Sequence, residues 1–204
     1  MRVGTLNVGT MTGKGREIAD LMERRRVSVL CVQETRWKGD KARELGDGYK
    51  LLYSGANKEG RNGVGIVLSK SLKDNIVSVK RVSDRIMVIK LCMEGEMVNI
   101  ACVYAPQAGC EEEEKESFWE EMDQELSGIP AGERLIIGGD MNGHIGRNRV
   151  GIERVHGGWG VGMRNADGER LVDCFVSFDL AIVNTWFEKG VNQYITYKSG
   201  ERES

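Results

Sequence analysis

The residues in this chain best suited to chemistry are carboxylates and amides at the ends of apolar runs. Val29-Leu-Cys-Val-Gln33-Glu34-Thr35 closes one run on a polar tip. Leu135-Ile-Ile-Gly-Gly-Asp140-Met-Asn142 does the same, after two glycines that let the chain turn sharply. Thr5-Leu6-Asn7 sets an amide inside an apolar first run, and Asn99-Ile-Ala-Cys-Val-Tyr104-Ala-Pro106 ends on a tyrosine that Pro106 helps to orient. Oxygen donors of this kind suit Mg²⁺. Taken singly, each has an ordinary structural account: Glu34 as a helix-start acid, Asp140 as an Asx turn, Asn7 as a capping residue, Tyr104 as a core-edge aromatic. Together they form the set that a hard-metal phosphoesterase needs. One carboxylate fixes the metal, a second orients and deprotonates water, and neutral donors hold the phosphate.

Other chemistries find no support. Gly9-Thr-Met-Thr-Gly13-Lys14-Gly15 is one residue short of a phosphate-cradling loop and has a glycine where the metal-binding hydroxyl belongs. Gly160 and Gly162 lack the third glycine of a dinucleotide fingerprint. With only His144 and His156, no H-E-x-x-H and no cysteine cluster, a zinc site is not expected. Ser-His-Asp chemistry has no G-x-S-x-G elbow to stand on.

The elements that must position these residues are mostly strands. Val3–Val8, Val27–Val32, Lys50–Ser54, Gly63–Leu68, Ile76–Val79, Ile86–Cys92, Val98–Tyr104, Leu135–Ile137 and Leu180–Val183 are short, apolar and bordered by turn residues. Helical spacing appears at Glu17–Arg26, with Ile18, Leu21 and Met22 on one face, and at Glu112–Leu126, with Phe118, Met122 and Leu126 in line. Gly168–Phe178 is a third helix, turning Leu171, Phe175 and Phe178 inward. Strands in consecutive groups predict mixed sheets flanked by helices. The acidic run Glu111–Glu116 fits a solvated first turn, and Arg24-Arg25-Arg26 a positively charged last turn. The glycine-rich stretch Gly151–Gly168 is either a functional loop or a plain surface one.

The 204 residues, 40% apolar, predict a single domain able to bury its own core. Lys and Arg number 29 against 31 acids, a net charge of −2, so a binder relying on a large basic excess is excluded. Any nucleic acid must be attracted by a local site. The start lacks a secretory pattern and no run approaches the roughly 20 apolar residues that span a bilayer, so no membrane association is expected. Five widely spaced cysteines read as reduced thiols and an intracellular protein.

In that order, Leu6-Asn7, Gln33-Glu34-Thr35, Val103-Tyr104-Ala-Pro106 and Gly139-Asp140-Met141-Asn142 resemble the endonuclease/exonuclease/phosphatase superfamily. It includes apurinic/apyrimidinic (AP) endonucleases, pancreatic-type DNases, inositol polyphosphate phosphatases and neutral sphingomyelinases. Gln33-Glu34-Thr35-Arg36-Trp37, Gly138-Gly-Asp-Met-Asn-Gly-His144-Ile-Gly146, Asn165-x-Asp167-Gly168-x-x-Leu171 and Ile182-Val-Asn184-Thr185-Trp186-Phe187 narrow the likeness to the endonuclease domain of non-LTR (LINE, RTE-like) retrotransposons. This branch includes the copy in the craniofacial development protein family. The resemblance covers essentially the whole chain.

The resemblance implies a four-layered α/β/β/α sandwich of two mixed sheets and a Mg²⁺-dependent DNA endonuclease, Mn²⁺ being a substitute, that leaves a 3′-hydroxyl for target-primed reverse transcription. DNA is the implied partner, a downstream reverse transcriptase a further one in a longer parent, and the nucleus the implied location. Glu34 resembles the metal ligand, with Asn7 beside it. Asp140 resembles the residue that activates water, with Asn142 helping to hold water and phosphate. Tyr104 resembles the phenol beside the scissile phosphate, and Thr196 a late hydroxyl near it. Arg36, with Trp37, Lys38, Lys41 and Arg43, reads either as a backbone-gripping loop or as a solvated helix start. His144 has no firm role in the branch, and His156 reads as a surface residue. The superfamily closes with an Asp in an apolar strand and a Ser-Asp-His. Neither has a match here, so the terminal catalytic His is missing and a domain truncated at its C-terminus, without its last strands, is expected. Two rivals remain: a phosphatase or phosphodiesterase of the same superfamily acting on small substrates, and an impaired copy that only binds partners.

Overall fold

Strand β2 (Val29–Gln33) is buried along its whole length because both of its faces meet apolar layers. Val29 and Cys31 point into one core, Leu30 and Val32 into another, as the two-residue period of a strand requires. The same alternation runs through β4 (Tyr49–Ser54), where Leu52 faces the first core and Leu51 and Tyr53 the second. It continues in β5 (Val64–Leu68), where Ile66 and Leu68 face the first core and Val67 the second. With β1 (Val3–Asn7) and β3 (Lys41–Gly46) these strands form one sheet in the order β1-β2-β5-β4-β3. Only the β1–β2 pair is parallel.

The computed structural model describes residues 1–190, together with the backbone of a short antiparallel pairing between Lys198–Ser199 and Arg202–Glu203. The second sheet is ordered β6 (Ile76–Arg81), β7 (Ile86–Met93), β8 (Glu96–Tyr104), β9 (Arg134–Asp140), and only β8–β9 is parallel. Met87, Ile89, Leu91, Ile100 and Cys102 meet the first sheet in the shared core. Helix α1 (Gly15–Arg25) covers the outer face of the first sheet with Ile18 and Met22. Helix α2 (Glu112–Ser127) buries Phe118, Met122 and Leu126 and is tied to β6 by the Lys80–Glu125 ion pair. Two mixed sheets with helices outside them are the expected sandwich. Among the described residues no helix is long and apolar enough to cross a membrane.

The chain divides into two compact units, Met1–Met141 and Asn142–Ser204. The second contains α3 (Ala166–Ser177), capped by Asn165, whose side-chain oxygen accepts from the Gly168 amide at 2.8 Å. Leu171 and Phe175 are buried as expected, but Phe178 is a half-exposed cap residue.

Three local expectations change. Residues 36–43 do not start a helix. Lys41–Gly46 is an edge strand with Lys41 to Glu44 exposed, its charges blunting an otherwise open edge. Such a strand has no apolar alternation to betray it. Leu180–Val183 is not a strand. Its backbone bonds are not those of a sheet, Leu180 N–H donating to Phe175 and Ile182 N–H to Val155, before a 3₁₀ turn at Val183–Thr185. His156 is wholly buried rather than on the surface. Its Nε2–H donates to the Gly146 carbonyl at 3.1 Å and its Nδ1 accepts from the Gly158 amide at 2.9 Å.

That pattern requires neutral imidazole, because protonating Nδ1 removes the acceptor for Gly158. Burial, foremost, holds the His156 pKa below its usual value, with Arg164 and Arg149 adding to the effect against the Gly146 hydrogen bond. The unfolded chain therefore takes up a proton near pH 6.5 that the folded chain refuses, and stability falls as pH drops below that point. Thermal melts of the parent are expected to lose several degrees between pH 7.5 and 5.5. His156→Gln, which cannot titrate, is less stable at pH 7.5 but gives a shallower slope. Equal slopes would show that His156 is not the source.

Candidate active site

The two parallel strand pairs deliver four polar side chains to one end of the first unit. In the first sheet Asn7 is in register with Gln33, and Glu34 follows at once. In the second sheet Tyr104 is in register with Asp140, and the Ala105 amide donates to the Asp140 carbonyl at 2.9 Å. Parallel neighbours end on the same side, so each pair places two carriers of chemistry together. The sheets then meet through β1 and β2 against β9 and β8.

The contacts are specific. The Asn7 amide nitrogen donates to Glu34 Oε1 at 3.0 Å and to Asp140 Oδ2 at 3.3 Å, bridging carboxylates from different sheets. Its own oxygen accepts from the Gly9 amide at 3.0 Å. The Tyr104 hydroxyl donates to Glu34 Oε1 at 2.9 Å, and Gln107 donates to the same hydroxyl at 3.3 Å. Arg36, half exposed, pairs with Glu34 Oε2 at 2.5 Å.

Unusual backbone supports this geometry. Glu34 and Arg36 have φ of 58° and 54°, a left-handed conformation that non-glycine residues adopt at some cost. Backbone bonds hold the segment there: Thr35 N–H to Gly63, Arg36 N–H to Asn62, and Met11 N–H to the Thr35 carbonyl. Beneath it Gln33, fully buried, accepts from the Thr5 hydroxyl and donates to Cys102 Sγ, linking β1, β2 and β8. Gln33 is thus a strut between sheets rather than part of a polar tip. Gly138 and Gly139 also have a different purpose from the expected turn. They lie inside β9, where a Cβ on Gly138 would stand 2.7 Å from Cys31 Sγ and one on Gly139 would overlap Val103.

The electrostatics follow from these bonds. Burial pushes the Glu34 carboxyl up, but hydrogen bonds from Asn7, Arg36 and Tyr104, with the Arg36 charge, outweigh it and hold the pKa below the usual range. Glu34 is therefore a carboxylate at neutral pH. Burial, foremost, and the hydrogen bond to anionic Glu34 push the Tyr104 phenol up to about 12, with the Asp140 charge contributing. Tyr104 stays a neutral hydrogen-bond donor.

Among the described residues no group of three or more His, Cys, Asp or Glu side chains is poised around a metal. Glu34 and Asp140, linked through Asn7, nonetheless fit Mg²⁺, which takes one or two carboxylates and keeps several waters. Of the remaining expected residues, Asn142 begins the second unit with a left-handed φ of 47°, His144 is an exposed residue of that unit, and Thr196 lies outside the described residues. The residues that composition and spacing did not single out are Gln107, three positions past Tyr104, and Arg85. Neither stands in a motif, and an arginine abutting an apolar strand is the only trace of the second.

A model of the endonuclease/exonuclease/phosphatase family matches residues 4–181. The chain belongs to that family. The endonuclease/exonuclease/phosphatase family is a family of hydrolases, and the two-sheet sandwich is its fold. Craniofacial development protein 2 from Bos taurus is 30% identical over 198 residues, 97% of this chain and 33% of that protein. The chain spans about a third of the length of the curated relatives it matches. The endonuclease domain of TRAS1, a telomere-specific non-LTR retrotransposon, is similar in fold, with a TM-score of 0.63 and 17% identity across 85% of this chain and 70% of that one. An AP endonuclease from Archaeoglobus fulgidus is similar with a TM-score of 0.57 and 20% identity, across 87% and 70% respectively.

Proposed function

We propose that this endonuclease/exonuclease/phosphatase chain is a Mg²⁺-dependent DNA endonuclease that nicks one strand and leaves a 3′-hydroxyl. The observation that carries the reading is the pair of carboxylates, Glu34 and Asp140, joined through Asn7 with the neutral Tyr104 phenol on the same oxygen of Glu34. The likeness in fold to a retrotransposon endonuclease domain supports DNA rather than a small substrate.

Glu34 would anchor the metal, with Asp140 joined to it through Asn7; Asn7 as a ligand would use the oxygen that here accepts from Gly9. Bound there, Mg²⁺ would supply charge neutralisation at the phosphate and the leaving oxygen. Asp140 orients a water and takes its proton as the water attacks phosphorus, and the P–O3′ bond breaks, with O3′ leaving as the 3′-hydroxyl after taking a proton from solvent. Tyr104 turns its hydroxyl proton from Glu34 to a phosphate oxygen as charge grows on it. Asn7 keeps the two carboxylates from repelling one another apart. Arg36, being half exposed, transfers from Glu34 to a DNA phosphate. A metal that neutralises phosphate explains how a chain of net charge −2 handles DNA. On this reading the protein works in the nucleus, and the 3′-hydroxyl primes a reverse transcriptase.

The test is supercoiled plasmid incubated with the chain and Mg²⁺, beside EDTA and an Asp140→Ala control, followed by polymerase extension of the product. Nicking by the parent alone, with ends that extend, is the expected result. Equal background in every lane overturns the reading.

A further inference from the structure

The phenol of Tyr104 is placed by contacts at the other end of its own residue. Arg85, immediately before β7, is only 8% exposed. Its NH1 donates to the Tyr104 carbonyl at 3.0 Å, and its own carbonyl accepts from the Tyr104 amide at 2.9 Å. Its guanidinium carbon stands 5.3 Å from the centre of the Tyr104 ring, within the range of a cation–π contact. The same guanidinium reaches Glu114, in the first turn of α2, through NH2. An arginine so buried needs a partner, since an uncompensated charge there is strongly destabilising. Glu114 supplies it, and the flat guanidinium is thereby fixed against the ring.

The consequence falls on Glu34. Tyr104 has two side-chain torsions, and rotation about the first would sweep its hydroxyl away from Glu34 Oε1. Gln107 holds the hydroxyl from one side, but only at 3.3 Å. We propose that the Arg85–Glu114 pair is the positioning element of the active site, holding the Tyr104 ring so that its hydroxyl stays beside Glu34, from which its single O–H can turn to the substrate phosphate. This rests on the endonuclease reading of Tyr104. It adds two positioning residues, neither of which touches the substrate, and it makes the start of α2 part of the catalytic machinery.

The rival account is a pair that merely anchors α2. A cycle of Arg85→Met, Tyr104→Phe and the double variant separates the two. Two readouts are taken: single-turnover nicking over a range of DNA concentrations, and NMR of ¹³Cε-labelled tyrosine. The Tyr104 resonance is assigned by its loss in Tyr104→Phe. In Arg85→Met the Tyr104 signal is expected to move and its ring to flip faster, and the maximal rate to fall about 10- to 100-fold at unchanged KM. The double variant is then no slower than Tyr104→Phe alone. Arg85→Lys, which keeps a cation with N–H donors but not the planar fork, recovers part of both signals. Glu114→Gln keeps the hydrogen bond and removes the countercharge, and serves if Arg85→Met fails to fold. An unmoved Tyr104 resonance, additive losses, or a loss confined to KM would overturn the proposal. If the parent does not nick at all, the endonuclease reading fails while the NMR arm still decides whether Arg85 holds the ring.

Discussion

Glu34→Gln is expected to reduce nicking by about 10³-fold, roughly 4 kcal/mol of transition-state stabilisation, while leaving the fold intact. The substitution keeps shape and removes charge. It also disturbs a set of donors, because Oε1 accepts from Asn7 and Tyr104 and Oε2 from Arg36. An amide can offer its oxygen to only one of these groups. The ion pair is lost with the charge in either orientation, and where the NH₂ faces the two neutral donors the bridge is lost as well. The arginine of the pair is half exposed, so the pair is worth little to stability and the melting temperature moves by only a few degrees. Asp140→Asn loses activity on a similar scale because the amide cannot take a proton from water. The measurement is single-turnover cleavage of end-labelled duplex in Mg²⁺ and in Mn²⁺. A Glu34→Gln rate within tenfold of the parent would remove Glu34 from the metal site.

Gly139→Ala has the largest effect expected on stability. A Cβ at that position would come closer than 3.0 Å to the Val103 carbonyl oxygen and to its side chain, and one of those atoms is rigid strand backbone. Relief requires β9 to move from β8, and the strand pair carries Asp140 and Tyr104 at its end. A cost of about 3 kcal/mol is expected, with a melting temperature lower by roughly 6–12 °C. Nicking fails at temperatures where the variant is still folded. Gly132→Ala is the control: nothing lies within 4 Å of its added Cβ, so a change below about 0.5 kcal/mol is expected in urea titration. Comparable losses from both variants would show that close approach at Gly139 is not the reason for that glycine.

Much of the fold was legible because its signals are local. Alternation along Val29–Val32 reports two buried faces whichever strand lies beside them, and β4, β5, β7 and β8 read equally well. The spacing of Ile18 and Met22 and of Phe118, Met122 and Leu126 likewise announces helices with one inward face. Where local pattern was absent or ambiguous, the reading failed. The charged edge strand Lys41–Gly46 has no apolar partner to alternate with, and the four-residue run Leu180–Val183 is too short to specify a strand. His156 lies in a glycine-rich stretch that looks solvated, yet two backbone contacts bury it.

For the site the division has the same cause. The sequence by itself determined that carboxylates and a tyrosine end apolar strands, because polarity at the tip of a buried run is a property of neighbours along the chain. The tertiary structure decided which of them work together. Asn7 reaches Asp140 across 133 residues only because β1–β2 and β8–β9 are parallel and their sheets meet face to face. It also decided that Gln33 is a strut, that Gly138 and Gly139 make room rather than a turn, and that Arg85 lies behind Tyr104. Pairing and register are long-range choices made by the whole core, and no window of residues encodes them.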